Sequence, residues 1–442
     1  MKKINIGLLG LGTVGMGTAK ILIENKEIIT KRTGVELRLK KAADIDLNKK
    51  RDVLFEKGTL TKEALEVIND DDIDIIVEMI GGKTIAKEFI IKALKNKKYV
   101  VTANKALLAE AGEELFELAD KNKVDIAYEA SVGGAIPIIK SLRESLAGNN
   151  ITSVNGILNG TCNYILSKIA NENIEFEEAL AQAQVNGYAE ADPNFDIEGF
   201  DTAHKTAIMA SLAYGTKVNF EDIYIEGITG IAKIDIKYAK EFGYLIKLLA
   251  ITKDLGNSIE ARIHPTMIPI DNILSKIDGS LNAVSVFGDA VGELMLCGYG
   301  AGMMPTASAV VGDIIDIARN IIFNTKIRIP IAGFMQNQIK NKPVLSIDDI
   351  LTNYYFRFFC IDKPNVLSQV AGILGSYGIS IKSVHQKGRN PQEGVPVIII
   401  THLAKEFEVK KALKEISALD IVLEKPVLIR IEDESETDTA AA

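Results

Sequence analysis

The apolar run Ile4-Asn-Ile-Gly-Leu-Leu-Gly10 passes directly into Gly10-Leu-Gly-Thr-Val-Gly15, and residues 16–25 follow with helical patterning. A strand, a glycine turn and a helix start in that order leave few folds open. Gly10 permits the tight turn, Gly12 lets a pyrophosphate approach the backbone, and Gly15 lets the helix pack on the strand. The helix start, with Thr13 and Val14 in its first turn, offers backbone amides to phosphate. A GxGxxG string alone is weak, because a ligand-free glycine turn can produce it. The strand before it and the helix after it make the dinucleotide reading the better one.

The same texture continues to about residue 130. A second strand over 35–43 ends in Asp44-Ile-Asp46 and is followed by Lys49-Lys-Arg51. An acid there would bind an adenine ribose diol, whereas cations would favour a 2′-phosphate, so both NAD and NADP stay open. Runs at 72–80, 99–105 and 124–128 predict further strands, with helices over 86–96 and 110–122 between them. The motif Thr102-Ala-Asn-Lys105 ends one of those strands. Ligands of such sheets gather at the carboxyl ends of the strands, which points Lys105 at the cofactor crevice. A surface lysine flanking a helix is an equally simple reading. A second glycine turn, Gly298-Tyr-Gly-Ala-Gly302, enters another helix, which is expected to pack back on this domain with Gly300 near the cofactor.

Residues 131–304 read differently. Strands near 153–158, 224–228, 244–252, 258–265 and 282–287 suggest an open, mainly antiparallel sheet in an α+β domain. Asn159-Gly-Thr-Cys-Asn-Tyr164 is a polar turn entering a helix, where Gly160 and Thr161 offer amides and a hydroxyl to an anionic group. Cys162 has no histidine nearby in sequence to activate it, so it reads as a packed thiol. The stretch from Gly187 to Lys205 then sets Glu190, Asp192, Asp196, Glu198 and Asp201 within a dozen residues, followed by the lysine. Asp201 and Lys205 stand one helical turn apart. A lysine beside a carboxylate, below an acidic loop, suits a proton donor with a polar substrate cradle. On spacing alone, a solvated ion pair is the commoner meaning.

After a linker at 336–353, residues 354–431 alternate strand and helix as βαββαβ, a ferredoxin-like unit. The acidic stretch 432–442 is expected to be disordered. The total of 442 residues agrees with two or three domains. A net charge of −8 argues against a general nucleic-acid binder, and no apolar run is long enough for a membrane span. Three dispersed cysteines suggest neither a disulfide framework nor a zinc knuckle, and a cytoplasmic protein is the simplest expectation.

Taken together, Gly10–Gly15, Thr102-Ala-Asn-Lys105, Asn159-Gly-Thr-Cys-Asn-Tyr-Ile-Leu166, Gly187–Lys205 and Gly300-Ala-Gly-Met-Met-Pro-Thr-Ala-Ser308 resemble homoserine dehydrogenase. The unit at 354–431 resembles an ACT regulatory domain through Asp362-Lys-Pro-Asn-Val-Leu367 and Gly372-Ile-Leu. The resemblance implies an α/β chain in three parts. These are a Rossmann-type domain at 1–130 completed by about 305–335, a catalytic and dimerisation domain at 131–304, and the ACT domain. It implies that Lys205 gives the proton to the carbonyl oxygen of aspartate semialdehyde and that Asp201 orients it. Glu190 and Asp196 would bind the substrate ammonium, Gly160, Thr161 and Tyr188 would line its pocket, and Lys105 would contact cofactor and substrate. Backbone carbonyls of Glu129, Val132, Gly134 and Ile136 would hold a monovalent cation such as Na+. Threonine is the implied effector, and a homodimer or homotetramer the implied assembly. Two rivals are a thioester-forming aspartate-semialdehyde dehydrogenase using Cys162 and a non-catalytic amino-acid sensor.

Overall fold

A computed structural model describes residues 2–325, 328–390 and 392–433. The chain divides into two compact units: Met1–Gly160, Thr202–Ile223 and Leu281–Lys342 form the first, and Thr161–Asp201, Tyr224–Ser280 and Pro343–Ala442 the second.

In the first unit, β1 (Lys3–Leu9), β2 (Glu36–Ala43), β3 (Leu60–Thr61), β4 (Ile75–Glu78), β5 (Tyr99–Thr102) and β6 (Ile126–Ala127) make one sheet in the order β3-β2-β1-β4-β5-β6. All its neighbours run parallel. Strands buried on both faces must be apolar along their length: Ile4, Ile6, Leu8, Ile75 and Val77 line one core, and Leu9 and Ile76, on the opposite face, are buried as well. Val310, Ile314 and Ile317 of the helix Met303–Ile322 lie in the same core, so this late helix does close the early domain. It meets the helix Thr13–Glu24 at Gly17, where a Cβ would stand 2.8 Å from the Met303 carbonyl oxygen. The order reverses between β1 and β4, and at such a switch point a crevice opens beyond the strands' carboxyl ends. The unit also holds an antiparallel set, Ile151–Ile157 on Leu281–Gly288 on Gly292–Tyr299. Gly292–Tyr299 escaped sequence reading because its apolar run, Leu294 to Cys297, is only four residues long and none of the strand is buried.

The second unit is built on a long hairpin, Tyr244–Asp254 with Ile259–Pro269. The ferredoxin-like order is present in strands Leu351–Cys360, Ile381–Gln386, Val395–Thr401 and Val427–Ile431 with helices Val366–Ser376 and Glu406–Ser417. Tyr354, Phe356, Phe358, Val370, Val409 and Ile416 share its core. The expected separation of this part by a linker is not what forms. Its first strand begins at Leu351, three residues earlier than the pattern suggests. Its last strand pairs in parallel with Ile259–Pro269, through Thr266–Arg430 and Met267–Ile431. Within the stretch read as linker, Ile259 donates to the Pro343 carbonyl at 2.9 Å and Leu345 donates to the Ile259 carbonyl at 2.7 Å. Periodicity reports which segments are strands but not which strands become neighbours.

Charge reinforces the junction. Arg357 forks onto Asp235, with contacts of 2.7 and 3.1 Å, and Tyr355 donates to the same carboxylate at 3.0 Å. Glu432, expected at the head of a disordered tail, accepts from Arg262 at 2.7 Å and pairs with Lys253. Burial pushes its carboxyl up, yet the two cations hold it down to about 2. The rest of that expected tail, 434–442, lies outside the described residues. Among the described residues, no helix is long and apolar enough to cross a membrane.

Candidate active site

The glycine turn after β1 meets the demands of a phosphate loop. Gly10 takes φ +92°, which favours glycine, and a Cβ there would meet the Met79 carbonyl oxygen at 2.7 Å. A Cβ on Gly15 would stand 2.0 Å from the Gly10 carbonyl oxygen, so the helix start and the turn touch backbone to backbone. At Gly12 nothing lies within 4 Å of an added Cβ. That open space, beside the amides of Thr13 and Val14 at the helix N-terminus, fits a dinucleotide pyrophosphate. Asp44, at the end of β2, is occupied by the turn itself. Its carboxylate accepts from Leu11 N–H at 2.8 Å and Asp46 N–H at 2.9 Å, with Arg51 at 3.8 Å. Arg51 in turn donates to the carbonyls of Leu47 and Lys49 at 3.0 and 3.1 Å.

The Thr102–Lys105 motif has a local explanation. Buried Glu78, at the end of β4, accepts from Thr102 Oγ1 at 2.7 Å and from the amides of Ile80 and Gly81 at 2.8 and 3.0 Å. Asn104 donates to the Gly82 carbonyl at 2.6 Å and accepts from Leu107 N–H at 3.2 Å, capping the helix Lys105–Asn122. Thr102 and Asn104 thereby set Lys105 at a helix start beyond the sheet's carboxyl edge. Glu78, which ties two strand ends together, was missed in sequence, since it reads as the polar end of an apolar run.

The loop expected to hold a cation turns through two left-handed glycines, Gly133 at φ +71° and Gly134 at φ +56°. A Cβ on Gly134 would meet the Gly300 carbonyl oxygen at 2.5 Å, and one on Gly300 would meet the Asn282 amide at 2.0 Å. Backbone packed this closely explains why both positions are glycine. The Asn282 side chain is buried, and among the described residues neither its oxygen nor its nitrogen has a hydrogen-bond partner. An orphaned amide beside a carbonyl-rich turn fits a bound cation or water. The Glu129 carboxylate is already used, accepting from the amides of Ile139 and Lys140 at 2.8 Å each. Burial and the neighbouring Asp313 push it up to about 7. Among the described residues, no group of three or more His, Cys, Asp or Glu is placed to hold a metal ion. Backbone carbonyls remain the ligands to consider, and the Ile136 carbonyl accepts one N–H, from Ile138 at 2.8 Å.

Lys205 overturns the surface reading of its helix. The helix Phe200–Tyr214 is buried along almost its whole length, with Asp201 4% and Lys205 7% exposed. The Lys205 ammonium donates to the Leu158 carbonyl at 2.6 Å. His204 stacks on Phe220, ring centres 4.3 Å apart.

In the second unit, Thr161 draws three of the predicted residues together. Its hydroxyl donates to the Tyr188 carbonyl at 2.6 Å and lies 3.2 Å from Asp196 Oδ2. Tyr188 packs against Tyr164, ring centres 4.9 Å apart, and is nearly half exposed. Glu190 is exposed, and Gln184 donates to its backbone carbonyl at 3.1 Å. Gly160 opens the helix Gly160–Glu172. Cys162 is fully buried, its thiol donating to the Asp196 carbonyl at 3.2 Å, as a packed rather than an attacking group.

The family model for homoserine dehydrogenase matches residues 137–315, that for the homoserine dehydrogenase NAD binding domain matches residues 10–129, and that for the ACT domain matches residues 354–420. Homoserine dehydrogenase of Neisseria gonorrhoeae is 48% identical over 433 residues, covering 98% of this chain and 99% of that protein. The Helicobacter pylori homoserine dehydrogenase is 46% identical over 432 residues, covering 98% and 100%. Among solved structures, a homoserine dehydrogenase from Thiobacillus denitrificans superposes with TM-score 0.92 at 44% identity, covering 98% of this chain and 99% of that one. A hyperthermophilic archaeal homoserine dehydrogenase in complex with NADPH superposes with TM-score 0.61 at 28% identity, covering 72% of this chain and 98% of that one.

Proposed function

The chain belongs to the homoserine dehydrogenase family and is an NAD(P)-dependent oxidoreductase, and on that premise we propose how its residues divide the work of interconverting L-homoserine and L-aspartate 4-semialdehyde. The observation that carries the reading is the burial of Lys205. A lysine kept from water on a helix, with its ammonium aimed by a backbone carbonyl, is held for chemistry rather than for solubility.

Lys205 gives a proton from Nζ to the aldehyde oxygen of the semialdehyde and, in reverse, takes one from the homoserine hydroxyl. Asp201, one turn earlier, stabilises the charged lysine. Glu190 and Asp196 hold the substrate ammonium, with Thr161, Tyr188 and Gly160 around it, and the Thr161 hydroxyl steadies Asp196. Gly10, Gly12, Thr13, Val14 and Gly15 hold the pyrophosphate, while Gly300 and Lys105 sit toward the nicotinamide. Bound there, the nicotinamide supplies or accepts the hydride. The carbonyls of Glu129, Val132, Gly134 and Ile136 are the ligands of a monovalent cation, a hard oxygen set suited to Na+. Threonine is the effector of the ACT domain, entering near Asn365, where the backbone takes φ +77° ahead of the helix Val366–Ser376. The assembly is a homodimer or homotetramer, and three free, dispersed thiols suit a cytoplasmic enzyme.

Nicotinamide absorbance followed with homoserine, once with NAD and once with NADP, tests the whole reading and ranks the cofactors. No homoserine-dependent change with either cofactor would sink it. Adding threonine to the same assay tests the effector.

A further inference from the structure

We propose that Arg430, in the last strand of the chain, is a positioning residue for the acidic loop that precedes Lys205, acting through Glu226. The inference rests on reading that loop as the substrate cradle. Arg430 is 2% exposed. Two of its nitrogens fork onto buried Glu406, at 2.9 and 2.5 Å, and the Tyr354 hydroxyl donates to the same carboxylate at 2.9 Å. That fork fixes the guanidinium plane. The remaining nitrogen is thereby aimed at Glu226, donating to Oε2 at 2.8 Å, and Tyr224 O–H donates to the same oxygen at 2.9 Å.

Glu226 begins a short strap that grips the loop. Its own amide is tied to the Ile263 carbonyl at 2.8 Å. At Gly227 a Cβ would meet the Ile197 carbonyl oxygen at 2.4 Å and Glu198 Cα at 2.6 Å, so strap and loop touch backbone to backbone. Ile228 N–H donates to the Ile197 carbonyl at 2.8 Å, and Thr229 Oγ1 donates to Glu198 at 3.2 Å. Ile197 and Glu198 follow Asp196, the carboxylate beside Thr161, and precede Asp201 by four and three residues. Hydrogen bonds and the strap's own backbone thus link a guanidinium in the ferredoxin-like part to Ile197 and Glu198, the residues next in sequence to Asp196. Such a chain is the physical means by which a distant group biases a site. Glu406 already neutralises Arg430, so the contact with the half-exposed Glu226 is not needed to keep that charge buried. Its consequence lies in the strap.

The test uses the full-length enzyme carrying Glu226→Gln, with Arg430→Lys as a second variant that keeps the charge and loses the fork. Loss of one charge-assisted contact at a partly exposed site is expected to raise the homoserine KM roughly threefold to tenfold. Turnover should stay within about twofold and the cofactor KM unchanged, because neither group reaches the reacting atoms. Amide hydrogen exchange over residues 194–201 should quicken in both variants. An unchanged homoserine KM, or unchanged exchange over 194–201, overturns the proposal, as do equal rises in both KM values. Glu190→Gln, measured alongside, separates the two readings. If it leaves the homoserine KM alone, the cradle assignment fails, while exchange over 194–201 still decides whether the strap holds the loop.

Discussion

Lys205 shows how far one position can be taken from sequence. Its spacing from Asp201 was legible, but spacing fits a wet ion pair as well as a proton donor. Burial separates them, and burial of this helix follows from packing that no local pattern reports. Lys205→Ala should lower turnover by about 10²–10⁴-fold, the usual worth of a general acid. Cofactor affinity, read by nicotinamide fluorescence, should be kept, since the group acts on the transition state. Near-normal turnover would transfer the role to Lys105. Glu190→Gln should instead raise the homoserine KM more than it changes turnover, and an unchanged KM would remove it from the pocket. Glu432 invites a test of a different kind. Its folded value, about 2, lies below the ordinary 4.5, so its pairing with Lys253 and Arg262 adds stability above 4.5 and loses it as pH falls toward 2. Glu432→Gln should therefore be less stable near neutrality by about 1–3 kcal/mol and unfold at lower temperature. The gap from the parent should narrow as pH falls from about 5 toward 2, and a pH-independent gap would show that packing, not charge, is what was lost.

Elements were the most legible level where periodicity is strong and the least where it is weak. The apolar runs of β1 and β4 announced a parallel sheet because both of their faces are covered. The helix expected over 86–96 spans Thr84–Lys95. Strand Gly292–Tyr299 and helix Lys233–Glu241 were not read at all, the first largely exposed and the second short. Within the N-terminal turn, the three glycines were legible as a motif, but their separate duties need coordinates. Gly12 has φ −68° and open space where a Cβ would go, so alanine is tolerated by the fold. Gly12→Ala should keep the parent's unfolding midpoint while weakening cofactor binding by at least about tenfold, or 1.4 kcal/mol. Gly15→Ala forces a methyl to 2.0 Å from the Gly10 carbonyl oxygen and should cost about 1–3 kcal/mol of stability, or more, whether cofactor is present or not. Thermal unfolding and fluorescence titration of the two variants distinguish them, and equal effects on both readouts would contradict the division of roles.

Taken over its full length, the chain departs from its apparent order of parts. Residues 354–431 look separable in sequence, having their own strands, helices and core, and a cut after Lys342 spares every residue assigned to chemistry. The archaeal homoserine dehydrogenase structure covers 72% of this chain and 98% of its own. In this chain, however, the strand Ile259–Pro269 is flanked by Val427–Ile431, and its residues Ile263, Met267 and Ile268 are buried at 0–1% exposure. Removal of the last hundred residues would leave Arg262 and Ile263 paired with Tyr224 and Ile225 but uncover the Thr266–Met267 end of that edge, where unpaired N–H and C=O groups in an apolar sheet are a template for edge-to-edge association. It would also strip Arg357 from Asp235 and Glu432 from Arg262, two contacts that pair buried charge, and Arg430 from Glu226, the contact that ties the strap. The truncated chain is therefore expected to aggregate and to lose homoserine oxidation through instability. Size-exclusion chromatography and thermal unfolding of the fragment ending at Lys342 provide the measurement. A monodisperse fragment with the parent's midpoint and turnover would show that the shared strand adds nothing to the hairpin it flanks, and that the ferredoxin-like part is separable after all.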